Sequence, residues 1–122
     1  MTKLTSNDVE REIRNLAATY LDATYTSPET AEFETDCYYD SGMVTNGPDF
    51  PGCIVGQALR ILGVNNTHSM CGPSSYFIEH GIVILDNIRW INGVQYHQDK
   101  GKSWSEAVEL ADKGIYDNNS KK

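Results

Sequence analysis

A mainly α-helical fold is what this sequence predicts: one compact domain of about five helices, with a small β-hairpin or irregular segment near residues 37–45. Three observations predict it. Apolar residues recur at helical spacing through the first part of the chain, Pro51-Gly52 and Gly63 frame a short apolar run, and Ser103 with Glu106 forms a capping pattern ahead of another periodic run. At 122 residues the chain is long enough for one modest core. The expected domain spans 1–115, followed by a mobile polar tail over 116–122.

The first helix is read from Val9, Ile13, Leu16, Ala17, Tyr20, Leu21 and Thr24/Tyr25, with Glu10, Arg11, Glu12, Arg14 and Asp22 on the opposite side. Thr5 or Ser6 can cap its start, and Ser27-Pro28 is expected to end it, because a residue before proline is pushed out of helical geometry. Turn chemistry then dominates to Gly52. Cys37-Tyr38-Tyr39 and Met43-Val44-Thr45 flank a short turn and are expected to pair as a hairpin.

A second helix is expected from about Cys53 to Leu62, central in the fold and packed by the first and last helices. Gly63 suits a left-handed cap, with Val64 making the hydrophobic contact that accompanies it. Gly56 inside this helix implies a close neighbour. A short helix through Tyr76-Phe77-Ile78 should close at Gly81. The run from Ile84 to Gln98 reads as a longer helix on grounds of length. The last helix starts at the Ser103/Glu106 capping box, lines one face with Trp104, Ala107, Val108 and Ala111, and stops at Gly114.

Composition narrows the function classes. With 17 acidic against 10 basic residues the net charge is −7, and no Lys/Arg cluster exists to neutralise phosphates, which weighs against a nucleic-acid partner. The longest apolar run, Ile82-Val83-Ile84-Leu85, is too short to cross a bilayer. Residues 1–8 carry no secretory pattern, so a reducing, cytoplasmic setting is expected, with Cys37, Cys53 and Cys71 all as thiols. Five acids and no base lie between Glu29 and Asp40 (Glu29, Glu32, Glu34, Asp36, Asp40), the natural face for a basic partner. Trp90 and Tyr96 join them as partner-binding candidates, because part-exposed aromatics are enriched at interfaces.

Cys37-x-Tyr39, Cys53-Ile54-Val55-Gly56-x-Ala58-Leu59-x-x-Leu62-Gly63 and Gln95-x-x-Gln98-Asp99-x-Gly101-x-x-Trp104-x-x-Ala107 together resemble a group of small proteins carried by actinobacteria and their bacteriophages. The likeness runs from Cys37 to Ala107 with gaps. It implies a phage or mobile-element setting and a mostly helical fold, and it implies no reaction. The longer turn from Ser41 to Gly52 and the residues His68, Cys71, His80 and His97 depart from the shared pattern.

Two patterns in the sequence point toward chemistry. A thiol at a helix start is activated by the free amides, which makes Cys53 a candidate nucleophile, yet the apolar run around it favours a buried structural residue. His68-x-x-Cys71 offers a chelating pair that Cys37 and Cys53 could complete, but a zinc pattern needs two such pairs. His80 and His97 are expected at a helix end and on a helix surface. No catalytic residue, metal or cofactor is assigned. The function expected is a non-enzymatic, phage-type accessory protein that occupies a bacterial host protein in the host cytoplasm. One alternative is a homo-oligomeric sponge for a nucleotide signal, with a pocket lined by Arg60, Arg89 or Lys100 and an aromatic such as Trp90; a second is a cysteine hydrolase using Cys53.

Overall fold

In the computed structural model, which describes residues 3–26, 43–49, 52–64, 77–78 and 80–116, the order of elements is helix, two-stranded ribbon, then three helices. The mainly helical class and the small antiparallel ribbon agree with the sequence. The first helix, α1 (Ser6–Thr19), begins at Thr5, whose backbone N–H donates to the Asp8 carboxylate at 2.9 Å. It ends at Tyr20 rather than near Pro28. Thr24–Thr26 forms β1 instead, pairing antiparallel with β2 (Met43–Thr45) in the register Tyr25↔Val44. β-branched and aromatic residues prefer the extended form, and Tyr25 is buried either way, so helical spacing could not separate the two outcomes. The partner of Met43–Thr45 is therefore Thr24–Thr26. Cys37–Tyr39, the partner expected from the sequence, lies outside the described residues.

The next helix, α2 (Ile54–Ile61), is buried from Ile54 through Leu59, Gly56 included. Its end is the cap that the sequence implies: Gly63 has φ +83°, its N–H donates to Arg60 O at 3.0 Å, and the Val64 N–H donates to Leu59 O at 3.0 Å. At its start, Cys53 is fully buried and disulfide-bonded, which corrects the expectation of three thiols. An odd cysteine count forbids complete pairing but not one bridge, and spacing alone does not say which sulfurs meet. Cys37 and Cys71 lie outside the described residues.

Phe77 and Ile78 are helical and Gly81 has φ +72°, as the sequence suggests. Ile82–Leu85 is not the start of a helix. Val83 N–H donates to Leu4 O at 2.9 Å, Ser6 N–H to Val83 O at 2.8 Å, and Leu85 N–H to Ser6 Oγ at 2.8 Å, so this β-branched run is extended against the N-terminal segment. The helix, α3 (Ile88–Asp99), starts four residues later than Ile84. After a turn through Gly101 (φ +93°), α4 (Trp104–Asp112) begins at Ser103, whose hydroxyl accepts from Glu106 N–H at 3.3 Å.

The core joins Val9, Ile13 and Leu16 of α1 to Ile54, Val55 and Leu59 of α2, Ile91 and Val94 of α3, and Trp104, Ala107 and Ala111 of α4. α2 packs mainly on α1 and less on α3, while α4 pairs with α3 and α1, so α2 is not sandwiched between the first and last helices. Tyr116, expected in the mobile tail, packs where Gly93 leaves room: a Cβ there would lie 2.7 Å from Tyr116 Cδ1. No helix among the described residues is long and apolar enough to cross a membrane.

Candidate functional site

A cavity of about 400 Å³ opens between the C-terminal half of α1, the outer face of α2 and the turn after β2. Asn15, Leu16 and Thr19 line it from α1, where i,i+4 spacing stacks Asn15 with Thr19, and Tyr20 lines it from the residue that ends the helix. Gln57, Arg60 and Ile61 line it from α2 at the same helical spacing, and Pro48 closes the third side. Each wall has a local cause. Pro48 is held there because Asn46 takes a left-handed conformation (φ 61°) and Gly47 packs over Ala23 and Trp104, where a Cβ would meet Val44 Cγ1 at 2.5 Å. Tyr20 is fixed edge-on against the buried Trp104, ring centroids 6.4 Å apart. The buried Gln57 amide donates to Gly52 O at 3.2 Å, which orients it at the back.

The walls contributed by Leu16, Tyr20, Pro48 and Ile61 are apolar, with Leu16 buried and Ile61 exposed at the rim. Among the described residues that line it, Arg60 is the one charged side chain, positive in a chain of net charge −7. The side chains of Asn15 and Thr19 make no hydrogen bond among the described residues. Apolar walls with a few convergent polar groups are the make-up of small-molecule sites, and the volume lies toward the small end of their range.

The other expected site residues fall elsewhere. Trp90 is only 7% exposed, its indole N–H donates to Asp112 Oδ1 at 2.9 Å, and the Arg14 guanidinium covers its ring at 4.4 Å. It is an internal tie, not a part-exposed binding aromatic. Arg14 also grips Asp112 with two hydrogen bonds of 2.8 and 3.1 Å and bonds Glu10 at 2.8 Å. That grip holds the Asp112 carboxyl below the ordinary aspartate range, with Trp90 adding to it and burial opposing, and it raises Arg14 in return. Tyr96 is half-buried, edge-on to His97, with the Lys100 ammonium 5.5 Å from its ring. Arg89 lies over Tyr116 at 5.0 Å. Of the three cations named for a pocket, the cavity gathers Arg60 and leaves Arg89 and Lys100 apart. Glu29, Glu32, Glu34, Asp36 and Asp40 lie outside the described residues.

His97 is buried, not on the helix surface; its Nε2 donates to Ile115 O at 2.6 Å and ties α3 to the segment after α4. His80 is exposed, and His68 and Cys71 lie outside the described residues. Among the described residues no group of three His, Cys, Asp or Glu side chains could hold a metal ion. Sequence reasoning missed Gln98, fully buried, whose Oε1 accepts from Ile54 N–H at 2.7 Å. It thereby joins two of the quoted motifs. It also missed Asn15, Thr19, Tyr20 and Gln57, which carry no local signal because three separate segments assemble the cavity. Comparison with family models, with curated proteins and with solved structures finds no match.

Proposed function

We propose that this chain is a small-molecule binding protein whose site is the cavity between α1, α2 and the Gly47-Pro48 turn. The observation that carries the reading is the make-up of that cavity: about 400 Å³, mostly apolar walls, a fixed aromatic and one guanidinium. This is the sponge alternative with its cation narrowed to Arg60 and its aromatic moved from Trp90 to Tyr20. The hydrolase alternative lacks its chemical basis in this form, because a disulfide-bonded, buried Cys53 supplies no thiolate.

Ligand-observed NMR with a fragment library, followed by thermal melts with the hits, tests it. A ligand that binds the native state alone at 100 times its Kd stabilises by about 2.7 kcal/mol and raises the melting temperature measurably. The expected outcome is saturable binding that Ile61→Asp weakens. A library in which nothing binds saturably at the cavity counts against the reading. Capture of a host protein, the expectation from charge and resemblance, has the net charge of −7 in its favour. It predicts a salt-sensitive complex that weakens when the five acids from Glu29 to Asp40 become amides.

A further inference from the structure

We propose that Asn46 is a modification site: its side-chain amide is lost by cyclisation onto the Gly47 nitrogen, and the isoaspartate that results unseats the turn after β2. The inference does not depend on what the cavity holds. The chain carries Asn-Gly at two places, Asn46-Gly47 and Asn92-Gly93. A glycine after asparagine leaves the backbone nitrogen open to the side-chain carbonyl carbon, because no Cβ stands in the way. The fold treats the two places differently. Asn46 is exposed in the turn at φ 61°, and neither its amide nor the Gly47 N–H makes a hydrogen bond among the described residues. Asn92 is exposed too, but the Gly93 N–H belongs to the hydrogen-bond ladder of α3, and Gly93 is packed on Tyr116. Closing a ring there requires the helix to open first.

The step balances with water as the only co-reactant. The Gly47 nitrogen attacks Asn46 Cγ and closes a five-membered imide; the Cγ–Nδ2 bond breaks, and ammonia leaves with the proton that the Gly47 nitrogen gives up. Water then opens the imide. Attack at Cγ gives aspartate in a normal main chain, whereas attack at the main-chain carbonyl leaves the chain running through Cβ and Cγ, one carbon longer. Nothing is oxidised or reduced. The longer chain matters here because Gly47 sits in a close-fitting seat: a Cβ on it would lie 2.5 Å from Val44 Cγ1, 3.2 Å from Ala23 Cβ and 3.7 Å from the Trp104 ring. With β2 held in its Tyr25↔Val44 register, a main chain lengthened directly before that seat no longer delivers Gly47 to the same place. Pro48, the next residue, moves with it off the third wall of the cavity.

The test incubates the full chain in warm, mildly alkaline buffer and follows both Asn-Gly peptides by mass spectrometry, with fragmentation that tells isoaspartate from aspartate. In folded protein Asn46 should lose its amide about tenfold or more faster than Asn92, because the Gly93 N–H must first be released from the helix. In urea, where both segments are unfolded, the two rates should converge. Asn46→Gln, whose ring would need an extra member, should keep its amide through the same incubation. The consequence is read on the isoaspartate form, separated by its added negative charge, against freshly prepared Asn46→Asp, which has the charge but the normal main chain. The isoaspartate form should melt about 4 °C or more below Asn46→Asp. Equal rates at Asn46 and Asn92 in folded protein, or an Asn46 that stays intact while Asn92 reacts or while neither does, overturns the site. An isoaspartate form that melts together with Asn46→Asp overturns the unseating of the turn.

Discussion

Gln98 shows how much one buried amide can carry. A helix start leaves N–H groups without intrahelical partners, and at α2 one of them, on Ile54, is met by the Gln98 oxygen at 2.7 Å while the Gln98 NH₂ donates to Asp99 at 2.8 Å. Gln98→Leu keeps the volume but strands a buried donor, so urea unfolding should show a loss of about 1–3 kcal/mol. Gly47 acts by lacking a side chain. An added Cβ would sit 2.5 Å from Val44 Cγ1 and 3.2 Å from Ala23 Cβ, so Gly47→Ala should cost about 1–3 kcal/mol by overpacking. The cost should shrink when Val44→Ala is already present, since the nearest clash is then gone; a double-mutant cycle that shows full additivity would place the strain elsewhere.

At the scale of elements, the Arg14–Asp112–Trp90 cluster clasps α1, α3 and α4 together, and Asp8 secures the start of α1. Both carboxyls are held below their ordinary range, Asp112 chiefly by hydrogen bonds from Arg14 and Asp8 chiefly by the Thr5 backbone N–H. A depressed carboxyl pKa adds stability above the unfolded value of about 3.9, and that contribution is lost as pH falls through the folded pKa. Thermal melts should therefore drop on acidification below about pH 4, and Asp112→Asn should flatten that limb while lowering stability at neutral pH. The effect is modest, because the Arg14 and Asp112 side chains are 43% and 44% exposed. These elements also show what local sequence could tell. The α4 start and the α2 end were legible because Ser103/Glu106 and Gly63-Val64 satisfy backbone groups within a few residues. The end of α1 and the nature of Ile82–Leu85 were not, because the partners that decide them, Met43–Thr45 and Leu4–Ser6, are distant in sequence. The cavity was legible only as a cation: Arg60 could be named, but nothing local pairs it with Tyr20 or Pro48.

For the molecule as a whole, the disulfide at Cys53 decides more than the charge does. Cys37 lies 16 positions before Cys53 and Cys71 lies 18 after it, so a bridge to either closes a loop of similar length. Chain-entropy reasoning assigns such a loop about 3 kcal/mol, a large share of the roughly 5–15 kcal/mol that holds a domain folded. Reduction should therefore lower the melting temperature by roughly 10 °C for a domain of this size. It also bears on where the protein works, since bridges of this kind persist in oxidising surroundings and are rare where glutathione keeps thiols reduced. With three cysteines and one bridge, thiol titration of unreduced, denatured protein should find one thiol per chain, rising to three after reduction. Peptide mapping should place Cys53 in the cross-linked fragment. Three titratable thiols in protein prepared under air would mean that the bridge does not form in solution, and would return the chain to the reduced, cytoplasmic setting that its sequence suggested.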